Sequence, residues 1–302
     1  MNEELTNLKI AFSEESLIVL NLAIAFIMFG VALGIKKAEF LEIKKNPKSV
    51  FVGVVSQFVM LPLVTFLVIL LIKPLPNLAL GMILVAASPG GNVSNFFSQQ
   101  SKGNIALSVS LTAIASMAAI FMTPFNFDFY ANLYLGEMEG LVSFKLEFMD
   151  IFEKVFIILV IPLVVGLLFS SKLPEITKKI KAPISNISFV ILMVIIVGAF
   201  ATNVDIFLAY YQHIIVLVLL HNAVSFGVGY ASGRLARLPG KDVRTITIET
   251  GIQNSGLALA IIFSVFDGNG GMALLAAWWG IWHIFAGSTI SFFFRRANSK
   301  TV

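Results

Sequence analysis

The chain contains no cysteine, and only 13% of its 302 residues are charged. The absence of cysteine excludes disulfide bonds and thiolate metal sites. A soluble globular domain carries roughly 25% charged residues, so this chain has too little polar surface to face water on all sides. Hydrophobic residues make up 58% of the sequence. We therefore expect lipid to cover much of the protein.

The sequence also lacks the motifs of enzymes and of nucleic-acid-binding proteins. It holds no His-Glu-x-x-His run, no Gly-x-Ser-x-Gly elbow and no pair of aspartates within an apolar segment. Its three histidines, His213, His221 and His283, are scattered. The basic residues lie between apolar runs and do not form the clustered basic face that nucleic acid requires. We predict neither an enzyme nor a nucleic-acid-binding protein.

Apolar segments dominate the chain. A helix that crosses a bilayer needs about 20 apolar residues, and the third and eighth segments are interrupted by polar and small residues. We predict an all-α integral membrane protein with nine transmembrane helices; eight or ten spans, with one interrupted segment re-entrant, is the alternative. The nine segments are 16–35, 48–72, 77–98, 104–124, 151–170, 184–204, 212–233, 244–266 and 270–294.

The basic residues predict the orientation of these spans. Of the 21 lysines and arginines, 17 lie in one alternate set of loops and in the C-terminal tail. Loops rich in lysine and arginine stay in the cytoplasm. We therefore predict an external N-terminus and a cytoplasmic C-terminus, in the plasma membrane or the inner cell membrane.

The first four and the last four segments follow one plan, in which the third segment of each set is the interrupted one. An odd number of spans separates corresponding segments, so the two sets have opposite orientations. We predict an inverted repeat of residues 16–126 and 184–294, joined by a linking helix over 147–171. Paired interruptions of this kind point to the binding site of a secondary transporter.

The residues at the interruptions also indicate what the site could bind. Pro89, Gly90 and Gly91 disfavour a helix, and unwound backbone in a membrane is tolerated where it is buried in protein or lines a cavity. Glu249 is the one acidic residue that we place within a span, and such a carboxylate is functional by default. Neutral oxygens beside it suit a hard cation, although polar side chains in spans also bond helix to helix. Those side chains are Gln57, Ser94, Asn95, Ser108, Thr112, Gln253 and Asn254.

Three stretches resemble the bile acid:sodium symporter family. They are Pro89-Gly90-Gly91-Asn92-Val93-Ser94-Asn95 followed by Lys102-Gly103-Asn104-Ile105-Ala106-Leu107-Ser108 and Thr112, then Glu249-Thr250-Gly251-Ile252-Gln253-Asn254, and Gln57-Phe58-Val59-Met60-Leu61-Pro62. The likeness extends over about residues 16–294 and is to the nine-helix type of the family. It implies a core domain and a panel domain, with the two interrupted helices crossing in the core.

The resemblance also implies two sodium ions as co-substrates. The first sodium site would use Ser94, Asn95, Ser108, Thr112 and Glu249. The second would use Gln57, Glu249, Gln253 and the backbone carbonyls of Thr250 and Ile252. For the substrate, an organic anion such as a bile acid or a small carboxylate like pantoate, we expect contacts with Asn92, Val93, Asn254 and His283.

We therefore expect a monomeric symporter that couples sodium entry to uptake of an organic anion by alternating access. Two alternatives remain open. One is a proton-coupled carrier in which Glu249 takes up H⁺, which replacement of sodium would reveal. The other is a membrane receptor that binds an anion without moving it, which an assay of uptake against a gradient would reveal.

Overall fold

The computed structural model describes residues 14–34, 44–91, 93–136, 148–201 and 204–298, and within these ranges it contains helices and no strands. This confirms the all-α prediction. Along the chain the helices are α1 (Glu14–Gly34), α2 (Pro47–Ile72), α3 (Pro76–Ala87), α4 (Val93–Gln100), α5 (Ile105–Gly136), α6 (Phe148–Lys172), α7 (Pro174–Ala201), α8 (Val204–Leu235), α9 (Gly240–Gly251), α10 (Ser255–Val265) and α11 (Gly270–Asn298).

Several of these helices suit a lipid bilayer. Among the described residues, four are long and apolar enough to cross a membrane: α2, α5, the part of α8 over Ile214–Leu235, and α11. Shorter apolar helices include α3 and α10, which are halves of the interrupted segments. Large apolar side chains such as Leu71 and Phe51 are exposed, as lipid-facing residues should be. The count of nine spans stays a prediction.

Both interruptions are present, and they meet. The third predicted segment divides into α3 and α4, and the eighth divides into α9 and α10. Gly90 and Gln253 form an antiparallel bridge between the two breaks. On either side of it, the Gly91 amide donates to the Ile252 carbonyl at 2.9 Å and the Asn254 amide donates to the Pro89 carbonyl at 2.8 Å. Backbone groups freed by one break are thus satisfied by the other.

The turns around the two interrupted segments correspond to one another. Four non-glycine residues in the described part of the chain have a positive φ: Lys73, Lys102, Arg237 and Asp267. Lys73 precedes α3 and Arg237 precedes α9, while Lys102 follows α4 and Asp267 follows α10. The first pair is 164 residues apart and the second pair 165. A left-handed residue therefore stands before and after each interrupted segment, with nearly the same spacing in the two.

One half of each interrupted segment, α3 and α10, lies in the main apolar cluster. In α3 every residue from Asn77 to Ala87 is buried, and its apolar side chains form one cluster with those of α10, α11 and parts of α5 and α8. Trp279 of α11 is fully buried there. Away from this cluster, α1 packs mainly against α6 and α7. Helices α3, α9 and α10 are therefore largely enclosed by protein, as unwound backbone in a membrane requires, while Phe96 of α4 is exposed.

Candidate functional site

The carboxylate of Glu249 is the centre of the site. Glu249 lies in the last turn of α9, beside the break, and is 3% exposed. Its Oε2 accepts hydrogen bonds from Ser94 Oγ at 2.6 Å and from Ser108 Oγ at 3.2 Å. Its Oε1 accepts from the hydroxyl of Thr112. Three hydroxyls from α4 and α5 thus surround one buried carboxyl group from α9.

Local helix geometry explains why these hydroxyls converge. Ser94 is in the first turn of α4, directly after the break. Ser108 and Thr112 are four residues apart on α5, so they share one face of that helix. Asn95, also predicted for this group, lies at its edge, with Oδ1 3.4 Å from Thr112 Oγ1. The structure therefore brings together all five residues predicted for the first site.

A second polar group lies at the break between α9 and α10, where Gln57 of α2 meets Gln253. Gln57 Nε2 donates to Gln253 Oε1 at 2.8 Å, and Gln253 Nε2 faces Gln57 Oε1 at 3.2 Å, so the two amides pair reciprocally. Gln253 Nε2 also donates to the carbonyl of Thr250 at 2.6 Å. The Ile252 carbonyl, in contrast, accepts from Gly91 in the bridge between the breaks. Three of the predicted second-site groups are therefore contiguous, and Ile252 contributes to the bridge.

No sequence motif marks the helix geometry that presents Gln57. This residue lies in a π-helical turn, Ser56–Met60, within α2, and such turns are frequent at functional sites. From the turn, Gln57 Nε2 also donates to the carbonyl of Ser88 at 2.8 Å. Ser56 Oγ lies 2.9 Å from Thr250 Oγ1. The π turn therefore contacts both breaks at once.

Two further residues of the candidate site, Ser98 and Asn222, were not predicted from the sequence. Ser98 lies one turn after Ser94 on α4, and its Oγ is 3.0 Å from Ser108 Oγ; the spacing of four residues from Ser94 was a signal for it. Asn222 of α8 donates from Nδ2 to the carbonyl of Gly251 at 2.8 Å and so holds the end of α9. No motif in the sequence marks Asn222.

Gly90 permits the close approach of the carboxylate to the first break. A Cβ atom added at this position would lie 2.8 Å from Glu249 Oε1 and 3.3 Å from Glu249 Cγ. Both distances are shorter than ordinary van der Waals contact. A larger side chain here would displace the Glu249 carboxylate, because that carboxylate packs directly on the unwound backbone.

A cavity of about 590 Å³ adjoins the two breaks. Val93, Asn254 and His283, three of the four predicted substrate residues, line it; the fourth, Asn92, lies outside the described residues. The side chain of Asn254 caps α10 by accepting from the Leu257 amide at 3.0 Å. Ser255 at the start of α10 also faces the cavity. The N-terminus of a half-helix favours negative charge, so this wall suits an anion.

The fold and the site together define a helical membrane protein whose polar centre is built from two interrupted helices. The family profile described as the sodium bile acid symporter family matches residues 21–210, more than half of the chain. The chain belongs to the sodium bile acid symporter family. Proteins of this family are membrane transporters and not enzymes.

Individual relatives cover most of the chain. It is 28% identical over 277 residues to the "Uncharacterized sodium-dependent transporter YocS" of Bacillus subtilis (strain 168), covering 92% of this chain and 83% of the relative. It is 31% identical over 255 residues to the human "P3 protein", covering 83% of this chain and 52% of the relative. It is 27% identical over 246 residues to the human "Ileal sodium/bile acid cotransporter", covering 81% and 68%. The chain thus spans only about half the length of some relatives.

The contact at Gly90 yields a prediction. Gly90→Ala places a methyl group where Glu249 Oε1 now packs, so the carboxylate must leave its hydroxyl partners. We expect the sodium concentration that half-maximally raises the melting temperature to increase by about tenfold or more, the effect of losing more than one charge-assisted contact. The matched control is Gly198→Ala, where an added Cβ has no neighbour within 4 Å. A normal sodium response in Gly90→Ala would contradict this role of the contact.

Proposed function

We propose that the protein is a symporter that couples the entry of sodium to the uptake of an organic anion by alternating access. The observation that carries this proposal is the Glu249 carboxylate, which is buried among hydroxyls of α4 and α5 where two helix breaks meet. The polar groups described around it are neutral oxygens. A hard monovalent cation is the ligand that this combination suits.

The first sodium ion would bind at the Glu249 carboxylate, with Ser94, Asn95, Ser108 and Thr112 as the other ligands. Each hydroxyl now donates its hydrogen bond to the carboxylate or lies within reach of it. On binding, the hydroxyl hydrogens turn away and the oxygens face the ion. The C-terminal end of α9, beside Glu249, adds carbonyl dipoles that favour positive charge.

The second sodium ion would bind between the amide oxygens of Gln57 and Gln253, with the carbonyls of Thr250 and Ile252 and with Glu249 as its counter-charge. The reciprocal amide pair directs each of these amide oxygens to the other amide's NH₂ group. Entry of an ion must therefore break two hydrogen bonds. We propose that this site fills after the first, once the neighbouring break has been ordered.

The anion would bind in the cavity beside the breaks, near Asn92, Val93, Asn254 and His283. Two sodium ions and one carboxylate leave a net positive charge next to this cavity. The N-terminal end of α10 adds its dipole in the same direction. Bile acids and small carboxylates such as pantoate are the substrate classes we propose, and sodium precedes the anion because it supplies the attracting charge.

An inverted repeat accounts for the paired breaks. The corresponding turns at Lys73 and Arg237, and at Lys102 and Asp267, support it. So does the bridge, because an antiparallel pairing of Gly90 with Gln253, 163 residues away, joins nearly equivalent positions of two units related by a twofold axis. We assign the repeats to residues 16–126 and 184–294, with 147–171 as the linking helix.

Transport would proceed by movement of a panel, α1 with α6 and α7, against a core that holds the breaks. The mutual packing of these three helices supports the division. We place the N-terminus outside the plasma or inner cell membrane, the C-terminus in the cytoplasm, and the working unit as a monomer. With two sodium ions per monovalent anion, each cycle moves one net charge, which gains about 2.3 kcal/mol per 100 mV of inward-negative potential.

Substitution of Glu249 tests the cation site. Glu249→Gln keeps the size of the side chain and removes the charge, so two cations would lie close together without a counter-charge in a medium where repulsion is strong. We expect folded protein in the membrane that has lost sodium-dependent stabilisation and nearly all uptake. The measurement is a sodium titration of the melting temperature, paired with vesicle uptake.

The control for this experiment is Glu175→Gln, an exposed carboxylate paired with Lys178 on α7. Its sodium response should be unchanged. A normal sodium dependence in Glu249→Gln would refute the proposal that both sodium ions share this carboxylate. Wild-type uptake that persists in choline buffer with an inward proton gradient would favour the proton-coupled carrier.

A pair of single variants separates the two proposed sodium sites. Gln253→Ala removes an amide oxygen of the second site, so we expect its sodium dependence to fall to first order. Asn95→Ala weakens the first site, so we expect a several-fold higher half-saturating sodium concentration. Both are measured by sodium titration of uptake, with the exposed Gln212→Ala on α8 as control. Identical cooperativity in Gln253→Ala and wild type would contradict a second ion at that place.

A further inference from the structure

Ser188 of α7 has a buried hydroxyl that neither proposed sodium site uses. The residue is 7% exposed, and its Oγ has no hydrogen-bond partner in the described structure. It lines the same cavity of about 590 Å³ as Val93, Asn254 and His283. The Oγ atom itself is not exposed to the cavity, so a group in the cavity reaches it once the Ser188 side chain rotates towards it, and a buried hydroxyl without a partner gains from such a bond.

The hydroxyl is free because of the direction in which it points. A serine or threonine within a helix commonly donates to the carbonyl four residues earlier. Thr177 of the same helix does so, donating to Leu173 at 2.9 Å. Ser188 instead directs Oγ towards Gly30 of α1, where an added Cβ would lie only 2.9 Å from it. The absence of a side chain at Gly30 therefore leaves room for the Ser188 hydroxyl.

The polar lining of the cavity differs from wall to wall. Beside the breaks, Asn254 and Ser255 stand at the N-terminal end of α10, where negative charge is favoured. On α11, His283 is 6% exposed and its Nδ1 also lacks a partner. On α7, the exposed Asn186 offers an amide, and the buried Ser188 offers one neutral donor that is also an acceptor. A substrate whose only polar group is a carboxylate would bind at the first wall and leave the Ser188 hydroxyl without a partner.

We propose that Ser188 is a specificity-determining residue that hydrogen-bonds a neutral polar group of the transported anion, a hydroxyl remote from its carboxylate. This inference rests on the proposed function and adds the substrate feature that the α7 wall recognises. Because α7 belongs to the proposed panel and Asn254 to the proposed core, one anion held at both ends links the two parts. A hydroxylated anion is then favoured both in binding and in closure.

The test compares pairs of anions that differ in their hydroxyls. The probes are pantoate with tert-butylacetate, and cholate with cholanate, measured as sodium-dependent vesicle uptake and as stabilisation of the purified protein in sodium. We expect the wild type to favour the hydroxylated member of the transported pair. In Ser188→Ala, the ratio of KM values that expresses this preference should fall roughly fivefold, the effect of one lost hydrogen bond.

Two glycine variants on α1 complete the design. Gly30→Ala displaces the Ser188 hydroxyl and should reduce the preference in the same direction. Gly34→Ala, whose added Cβ would be 3.6 Å from the nearest Lys181 atoms, should retain it. An unchanged preference in Ser188→Ala, with sodium-dependent uptake intact, would overturn this inference alone and assign the hydroxyl to helix packing or to water. Absence of sodium-dependent binding of every probe to the wild type would contradict the proposed function as well.

Discussion

The structure depends on how two helices satisfy their backbone groups where each is unwound inside the protein. A broken helix in a membrane leaves amides and carbonyls without hydrogen-bond partners, and the bilayer core holds no water that could bond to them. Here each break supplies the other, through the Gly90–Gln253 bridge and its flanking hydrogen bonds. That requirement fixes the two segments to one another. It thereby places four half-helix ends at a single point, where their dipoles act on whatever binds there.

The polar groups of the candidate site lie around that point. Gly90 brings the backbone of one break against the carboxylate carried by the other. The hydroxyls of α4 and α5 donate to the carboxylate, and the Gln57–Gln253 amide pair lies at the second break. The cavity then extends from the breaks towards α1 and α7. A cation and an anion can therefore occupy neighbouring positions that depend on one piece of backbone, which is the physical basis we propose for their coupling.

The sequence predicted the parts of this site that follow from local chemistry. Pro89, Gly90 and Gly91 identify the first break because they disfavour a helix, and Glu249 is conspicuous as an acid in an apolar segment. The π turn at Gln57, the clamp of Asn222 on Gly251 and the free hydroxyl of Ser188 could not be predicted. Each depends on which helix lies opposite, and that information resides in tertiary packing. The role of the Ile252 carbonyl in the bridge was hidden for the same reason.

In the proposed mechanism, the single carboxylate of Glu249 serves two sodium ions. Equilibrium binding of radioactive sodium to the purified protein tests it most directly, because no knowledge of the transported anion is needed. We expect two saturable sodium ions per chain, with a binding curve steeper than first order. Saturation at one sodium ion per chain, with a simple hyperbolic curve, would contradict it.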